Sequence, residues 1–323
     1  MIKILELFGG IGAPKKALFN LKIKHKSIDY VEWNEKAVRS YNAMFDNRYA
    51  AQDVRGYNLR PDWLIHGSPC QDYSIGGKQY GGNVEDGTRS SLMFETIQII
   101  QNLGVWKPSV VIWENVPNVL NKKHLPAFNR YINDLDKLGY TTNYEILNSL
   151  DFGIPQHRKR LFAISCLNGN VFDYSKLEKT TAPIITDFLE ASFDEKYILT
   201  QPSMIKKLPG NENHSNFNGM LEEITTHAFT ITTKQVRCPN AGVIKISNDK
   251  YRILTERECW RLMGFTDEDF DRANKEHHGM QGKLNGTLYH QAGNSIVVQV
   301  LEAIFKVLLS GNYGGGIKQE SLF

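Results

Sequence analysis

The sequence predicts an α/β fold, a doubly wound sheet that carries a smaller second domain. Three observations predict it. Short apolar runs alternate with longer amphipathic stretches through the first half, as the strands and crossover helices of a parallel sheet do. The first apolar run ends in a glycine turn that opens a helix, and the second ends on an acid. Past about residue 168 the composition changes, and an apolar helical stretch closes the chain.

Taken in order, residues 2–8 read as a strand, 9–12 as a turn and 14–21 as a helix. A strand over 27–31 precedes a helix over 35–45. Residues 63–66 form a short strand that runs into Gly67-Ser68-Pro69. Apolar residues recur at helical spacing over 92–103, and the β-branched run 109–113 reads as a buried central strand. A helix over 127–138 is followed by strands at 144–147 and 161–165. From 175 to 219 the chain is rich in Lys, Asn and Pro, with weak periodicity. Residues 225–233 are strand-like and threonine-rich, and Thr255 with Glu258 makes a capping box that starts a helix. Residues 289–309 hold a glycine turn and a long apolar helix. The boundaries expected are 1–172 with 286–323 for the larger domain and 173–285 for the smaller.

With 323 residues, 41% hydrophobic and 23% charged, the chain can bury a core without disulfides or structural metal. A net charge of +3 neither requires nor excludes nucleic acid, because a modest total can hide a basic face. Cys70, Cys166, Cys238 and Cys259 are dispersed and match no zinc spacing, so no metal is expected and a reducing compartment is. The first strand is interrupted by glycine too early for a signal peptide, and no run approaches about 18 consecutive apolar residues. A soluble cytoplasmic protein with no membrane association, acting as a monomer, is the expectation.

A glycine turn cradles a cofactor when its backbone can approach the ligand and an acid waits at the end of the next strand. Here Phe8-Gly9-Gly10-Ile11-Gly12 is the turn, and Glu32 followed by Trp33 ends the second strand. The acid suits a ribose diol and the aromatic suits an adenine face. Gly10 and Gly12 fit the dinucleotide pattern, but Lys15 stands where its third glycine would be. A nucleoside cofactor without pyrophosphate, such as S-adenosylmethionine, therefore fits better than a dinucleotide. Tight helix–strand packing alone is the competing reading of these glycines. Asp53, before Val54, is a further acid at a strand end; it suits an adenine amino group or an ordinary surface turn.

Gly67-Ser68-Pro69-Cys70-Gln71-Asp72-Tyr73-Ser74 follows a strand, where doubly wound folds place ligands, and precedes a glycine-rich loop. A lone cysteine is commonly an inert buried hydrophobe. Proline before it and a loop able to close after it favour a nucleophile instead. Methylation of cytosine at carbon 5 would use such a group: a thiolate added at carbon 6 makes carbon 5 nucleophilic. That chemistry needs a group to hold ring nitrogen 3 and a cation to support the adduct. Glu114 ends the apolar strand and can serve as the first, burial raising its pKa; capping the next segment is the alternative. Gln156-His157-Arg158-Lys159-Arg160 supplies the cations, with alternation sending Arg158 and Arg160 to one side. A solvated basic face is the alternative there.

Together these motifs resemble the bacterial and phage DNA (cytosine-5-)-methyltransferase family over nearly the whole chain. The resemblance rests on Glu6-Leu7-Phe8-Gly9-Gly10-Ile11-Gly12, Pro69-Cys70-Gln71, Glu114-Asn115-Val116 and the 156–160 run. Arg261-Leu262-Met263-Gly264-Phe265 and Gln291-Ala292-Gly293-Asn294-Ser295 complete it, all in the family's order. It implies a Rossmann-like S-adenosylmethionine-dependent sheet and a target-recognition domain over 173–285. It implies Cys70 as nucleophile, Glu114 on a flipped cytosine, and Arg158 and Arg160 supporting base and adduct. Phe8, Gly10, Gly12, Glu32, Trp33, Asp53, Val54, Pro69, Leu92, Asn294 and Ser295 would line the cofactor pocket. Gln71 and Ser74 would meet double-stranded DNA, and Lys206, Lys207, Lys234, Gln235 and Arg237 are basic or polar contacts to consider in the second domain. Restriction–modification, with a cognate endonuclease acting separately, or phage self-protection is the implied setting. Two departures stand out. Ala13 replaces a common glycine, and the loop after Gln79 is longer than in the shortest members.

Rival readings are distinguishable. An exocyclic-amino methyltransferase would carry an Asp/Asn-Pro-Pro-aromatic motif, which is absent. An NAD(P)-dependent oxidoreductase would need the missing third glycine. A tRNA cytosine methyltransferase would act on tRNA and not on duplex DNA. A catalytically dead DNA-binding module would not need the intact Cys, Glu and Arg set.

Overall fold

β1 (Ile2–Leu7) is buried on both faces from Ile4 onward, and the glycine turn after it starts α1 (Ala13–Asn20). β2 (His25–Val31) leads into α2 (Glu35–Phe45), whose first turn is capped by the Asn34 side chain. β3 (Trp63–His66), α3 (Met93–Leu103), β4 (Val110–Asn115), α4 (Leu125–Lys137) and β5 (Tyr140–Asn148) follow. The two-residue β6 (Gln156–His157) precedes β7 (Lys159–Leu167). This computed structural model describes residues 1–55, 59–68, 92–208, 221–248 and 250–311.

Six strands make one sheet in the order β2-β1-β3-β4-β7-β5. The four parallel strands end level with one another: Leu7 lies opposite Val31 and His66, and His66 opposite Trp113. Alternation then divides the core. Ile4, Trp63, Ile65, Val110 and Ile112 enter one apolar cluster, while Leu5, Leu7, Leu64, Val111 and Trp113 enter another under α3 and α4. The alternating pattern reads as a wholly parallel sheet, but β7 runs antiparallel to both β4 and β5. The reason lies in the connection. Residues 149–158 are too few for a parallel crossover with its own helix, and the chain turns straight back.

Beyond the sheet come α5 (Pro202–Ile205), β8 (Ala228–Phe229), and a hairpin of β9 (Val243–Ser247) with β10 (Lys250–Ile253). The threonine-rich 225–233 run therefore yields only a two-residue strand, paired with β6. Just beyond it Thr230 donates its hydroxyl to the His157 carbonyl. α6 (Glu256–Arg261) begins at the expected capping box of Thr255 and Glu258, and α7 (Asp267–Glu276) has a second one from Thr266 and Asp269.

α8 (Gly286–Asn294) and α9 (Val298–Leu309) close the fold. Together they are long and apolar enough to cross a membrane, but the chain breaks between them and most of the stretch is buried in the core. One apolar cluster runs without interruption from Ile4 through Tyr174, Ile231, Leu254 and Trp260 to Leu308. The residues on either side of 172/173 and 285/286 thus share a core.

Candidate active site

Because the parallel strands end level, the turn after β1, the residues after β3 and the end of β4 meet at one edge of the sheet, the place where such folds bind ligands. Glu114 sits there, close to the end of β4. Arg160, on the adjacent β7, places Nε 3.1 Å from its Oε1, and both side chains are largely buried. Burial pushes the Glu114 carboxyl above its usual range even though Arg160, and then Arg158, pull the other way. A carboxyl poised in this way can hold a proton against a ring nitrogen.

Glu114 also faces the start of the Pro-Cys-Gln segment. Its Oε2 lies 3.7 Å from where a side chain on Gly67 would begin. Ser68 is held by both neighbours of Glu114: Trp113 donates its Nε1–H to Ser68 Oγ at 2.9 Å, and Asn115 Nδ2 donates to the Ser68 carbonyl at 3.2 Å. Pro69, Cys70, Gln71 and Ser74 lie outside the described residues. Ser68 nonetheless precedes Pro69-Cys70 directly in the chain, so the approach to the cysteine is anchored beside the carboxyl. Sequence reasoning alone passes over Ser68, Trp113 and Asn115 as partners. Their signal is present, since a buried tryptophan needs an acceptor for its N–H.

A cleft of about 870 Å³ opens at this edge, lined by residues 116–118 and 120–121, His157, Lys159, Arg160, Phe229, Thr230, Thr232 and Asn240. Its walls come from the sheet on one side and from the 229–240 segment on the other. Arg160 faces it, whereas Arg158 is buried beside it and spends its guanidinium on the backbone: Nη1 on the Ile231 carbonyl, Nη2 on the carbonyls of Gly293 and Ser295. Both positive charges favour the ionised Glu114 carboxyl, but it is Arg160 that pairs with it.

The glycine turn forms the second half of the site. Gly10 has φ +55°, a conformation costly for a side chain, and the space its Cβ would occupy is open. Gly10 donates its N–H to Glu32 Oε2 at 3.0 Å, and Asn34 donates to Oε1 at 2.9 Å. Burial raises the Glu32 carboxyl despite these bonds. Each oxygen keeps lone-pair capacity for a diol. Phe8 (φ +54°) packs against the second apolar cluster beside the turn, and Gly12 caps α1.

Trp33 is 74% exposed next to Glu32. Gln52 donates its N–H to the Glu32 carbonyl, which brings Asp53 and the buried Val54 alongside. Asp53 is exposed and bound by Arg55, which holds its carboxyl down to about 2, so it stands ready as an ionised acceptor. Leu92 precedes α3, half-buried. Asn294 is exposed at the end of α8 and Ser295 is buried. α8 is tied to the first turn of α2, just past Glu32 and Trp33, because Gln291 donates to the Lys36 carbonyl at 3.0 Å. An open glycine position, a buried acid and an exposed aromatic fit a nucleoside.

Within residues 173–285, Lys234 and Arg237 are exposed. Gln235 is not a surface contact. It is fully buried, its amide oxygen accepting from the Ala241 N–H at 3.4 Å, because the 233–242 turn folds over it. Lys206 and Lys207 are exposed or half-buried at the end of α5. Among the described residues no group of three or more His, Cys, Asp or Glu could hold a metal.

A family model described as C-5 cytosine-specific DNA methylase matches residues 2–310. The chain is 31% identical to the type II methyltransferase M2.ScrFI of Lactococcus lactis subsp. cremoris, over 95% of this chain and 99% of that one. It is 26% identical to the orphan methyltransferase M.SPRI of Bacillus phage SPR, over 95% and 97%. Among solved structures, the S. pombe Dnmt2 methyltransferase superposes with a TM-score of 0.75 at 18% identity, covering 97% of this chain and all (100%) of that one. That likeness shows a shared fold.

Proposed function

The chain belongs to the C-5 cytosine-specific DNA methylase family, and from that premise we propose that it methylates a cytosine flipped out of a specific duplex sequence, through a covalent bond to Cys70. The observation that carries this reading is the Glu114 carboxyl, raised by burial, paired with Arg160 and set beside the anchored start of the Cys70 segment.

S-adenosylmethionine, when bound, supplies an electrophilic methyl carbon on a sulfonium. Glu32 would hold its ribose hydroxyls, Trp33 and Phe8 its adenine, and Gly10, Gly12, Asp53, Val54, Pro69, Leu92, Asn294 and Ser295 the rest of the pocket. The remaining tasks fall to the chain's side chains. A stacked base cannot reach a buried strand end, so the target must leave the helix, and the 870 Å³ cleft is where it would enter. Glu114 hydrogen-bonds ring nitrogen 3 with a shared proton, which makes carbon 6 electrophilic. The Cys70 thiolate adds at carbon 6, carbon 5 takes up the methyl group, and a solvent base then removes the carbon 5 proton as the C6–S bond breaks, which restores the thiolate and the ring double bond. Arg160 orients Glu114 and offsets the charge of the adduct.

Residues 173–285 would choose the DNA sequence. Lys234 and Arg237, exposed near the cleft wall, are the contacts proposed there, alongside Gln71 and Ser74 nearer the nucleophile. Protection of DNA against a separate restriction endonuclease, or of a phage genome, is the setting proposed. Bisulfite or nanopore sequencing of DNA from cells expressing the chain tests this: 5-methylcytosine should appear at one short sequence. With Cys70→Ser that signal should vanish while duplex binding persists; methylation undiminished in this variant would sink the mechanism.

A further inference from the structure

We propose that Arg158 is a positioning residue that joins the target side of the cleft to the cofactor turn, and that it does not contact the base. This rests on the reading of Asn294 and Ser295 as cofactor residues. Arg158 is 3% exposed. Its Nη1 donates to the Ile231 carbonyl at 2.8 Å, while Nη2 donates to the carbonyls of Gly293 at 3.0 Å and Ser295 at 2.8 Å. One planar cation thus ties the segment behind the cleft wall to the residues that bracket Asn294. A guanidinium can do this because its donors form a fixed fork, which a lysine ammonium lacks.

Two further contacts make the joint stiff. Gln156 accepts the Ile231 N–H at 3.1 Å and donates to the Leu262 carbonyl at 2.8 Å, so Ile231 is gripped at both its N–H and its carbonyl. Gly293 packs directly on the same segment: a methyl there would lie 2.4 Å from the Thr232 carbonyl carbon and the Thr233 nitrogen. Thr230 and Thr232, on either side of Ile231, line the cleft. A shift of that wall is therefore carried to the turn at Gly293–Ser295, and a shift of the turn to the wall. The two sites share one arrangement, which is the physical requirement for coupling between them.

The test is titration of S-adenosylhomocysteine into the full chain without DNA, by calorimetry, for wild type, Arg158→Lys and Arg160→Lys. Loss of positioning should weaken binding by Arg158→Lys about tenfold, the size expected for one charged hydrogen bond. Arg160→Lys should bind as wild type does. At saturating cofactor, kcat of Arg158→Lys should fall less than its affinity. Unchanged cofactor affinity in Arg158→Lys, with transfer lost, would make it a base-contacting residue and overturn the proposal. Should Arg158→Lys not fold, Gly293→Ala strains the same joint from the other side. It should weaken both cofactor and DNA binding, and normal affinity for both would refute the joint. Failure of the wild type to bind the probe would instead remove the functional reading, and this proposal with it.

Discussion

Glu6 shows how much one side chain near the glycine turn costs. It is fully buried on β1, its Oε1 accepting from Tyr41 Oη at 2.7 Å and from Ser27 Oγ at 3.3 Å, while Oε2 has no partner among the described residues. Burial raises its carboxyl from 4.5 to about 7, outweighing the Tyr41 bond and the nearby Lys15 charge. The folded state therefore holds a proton that the unfolded state releases near 4.5. Stability is full below that pH and falls as pH rises through about 7. The loss is about 3 kcal/mol. Glu6→Gln keeps an acceptor for Tyr41 and removes the ionisation. Its midpoint in urea should exceed that of wild type at pH 8 and lose less between pH 4.5 and 7. Parallel pH profiles for the two proteins would show that Glu6 is not the cause.

At the scale of elements, a buried ion pair pins α7 to α1. Lys16 on α1 pairs with Asp269 on α7 at 2.6 Å with both side chains more than 90% buried, and Asp269 also caps α7. Asp269→Ala strands a buried cation, so it should cost about 3–5 kcal/mol. Asp46→Ala, which breaks the exposed Arg272 pair, should cost far less, because solvent screens that pair. Equal losses in urea unfolding would contradict this ranking by burial.

Elements of this kind were legible where local chemistry decides. The Trp63–His66 strand and the Thr255 capping box stand as the sequence predicts, because a short run buried on both faces and cap hydrogen bonds are local. The direction of β7 was legible only in the length of its connection, and the burial of Gln235 depends on a turn folding over it. In the candidate site the turn, the acids and the cations were readable as types in order. The use of Arg158 on three backbone carbonyls was not, since those carbonyls lie 73 to 137 residues away.

Over the whole molecule, one continuous core joins the sheet to the 173–285 segment and to the closing helices. It brings Glu114, Arg160 and the glycine turn to one edge, and sets the cleft between that edge and the 229–240 segment. This arrangement makes sense if a base enters the cleft to be attacked by the cysteine whose segment starts beside Glu114. The central claim is therefore the covalent step, and trapping tests it most directly. Duplex DNA carrying 5-fluorocytosine at the target, incubated with the protein and S-adenosylmethionine, should give a denaturant-stable complex linked through Cys70, because fluorine cannot leave carbon 5 as a proton does. Methyl transfer to ordinary cytosine without any such complex would contradict the account.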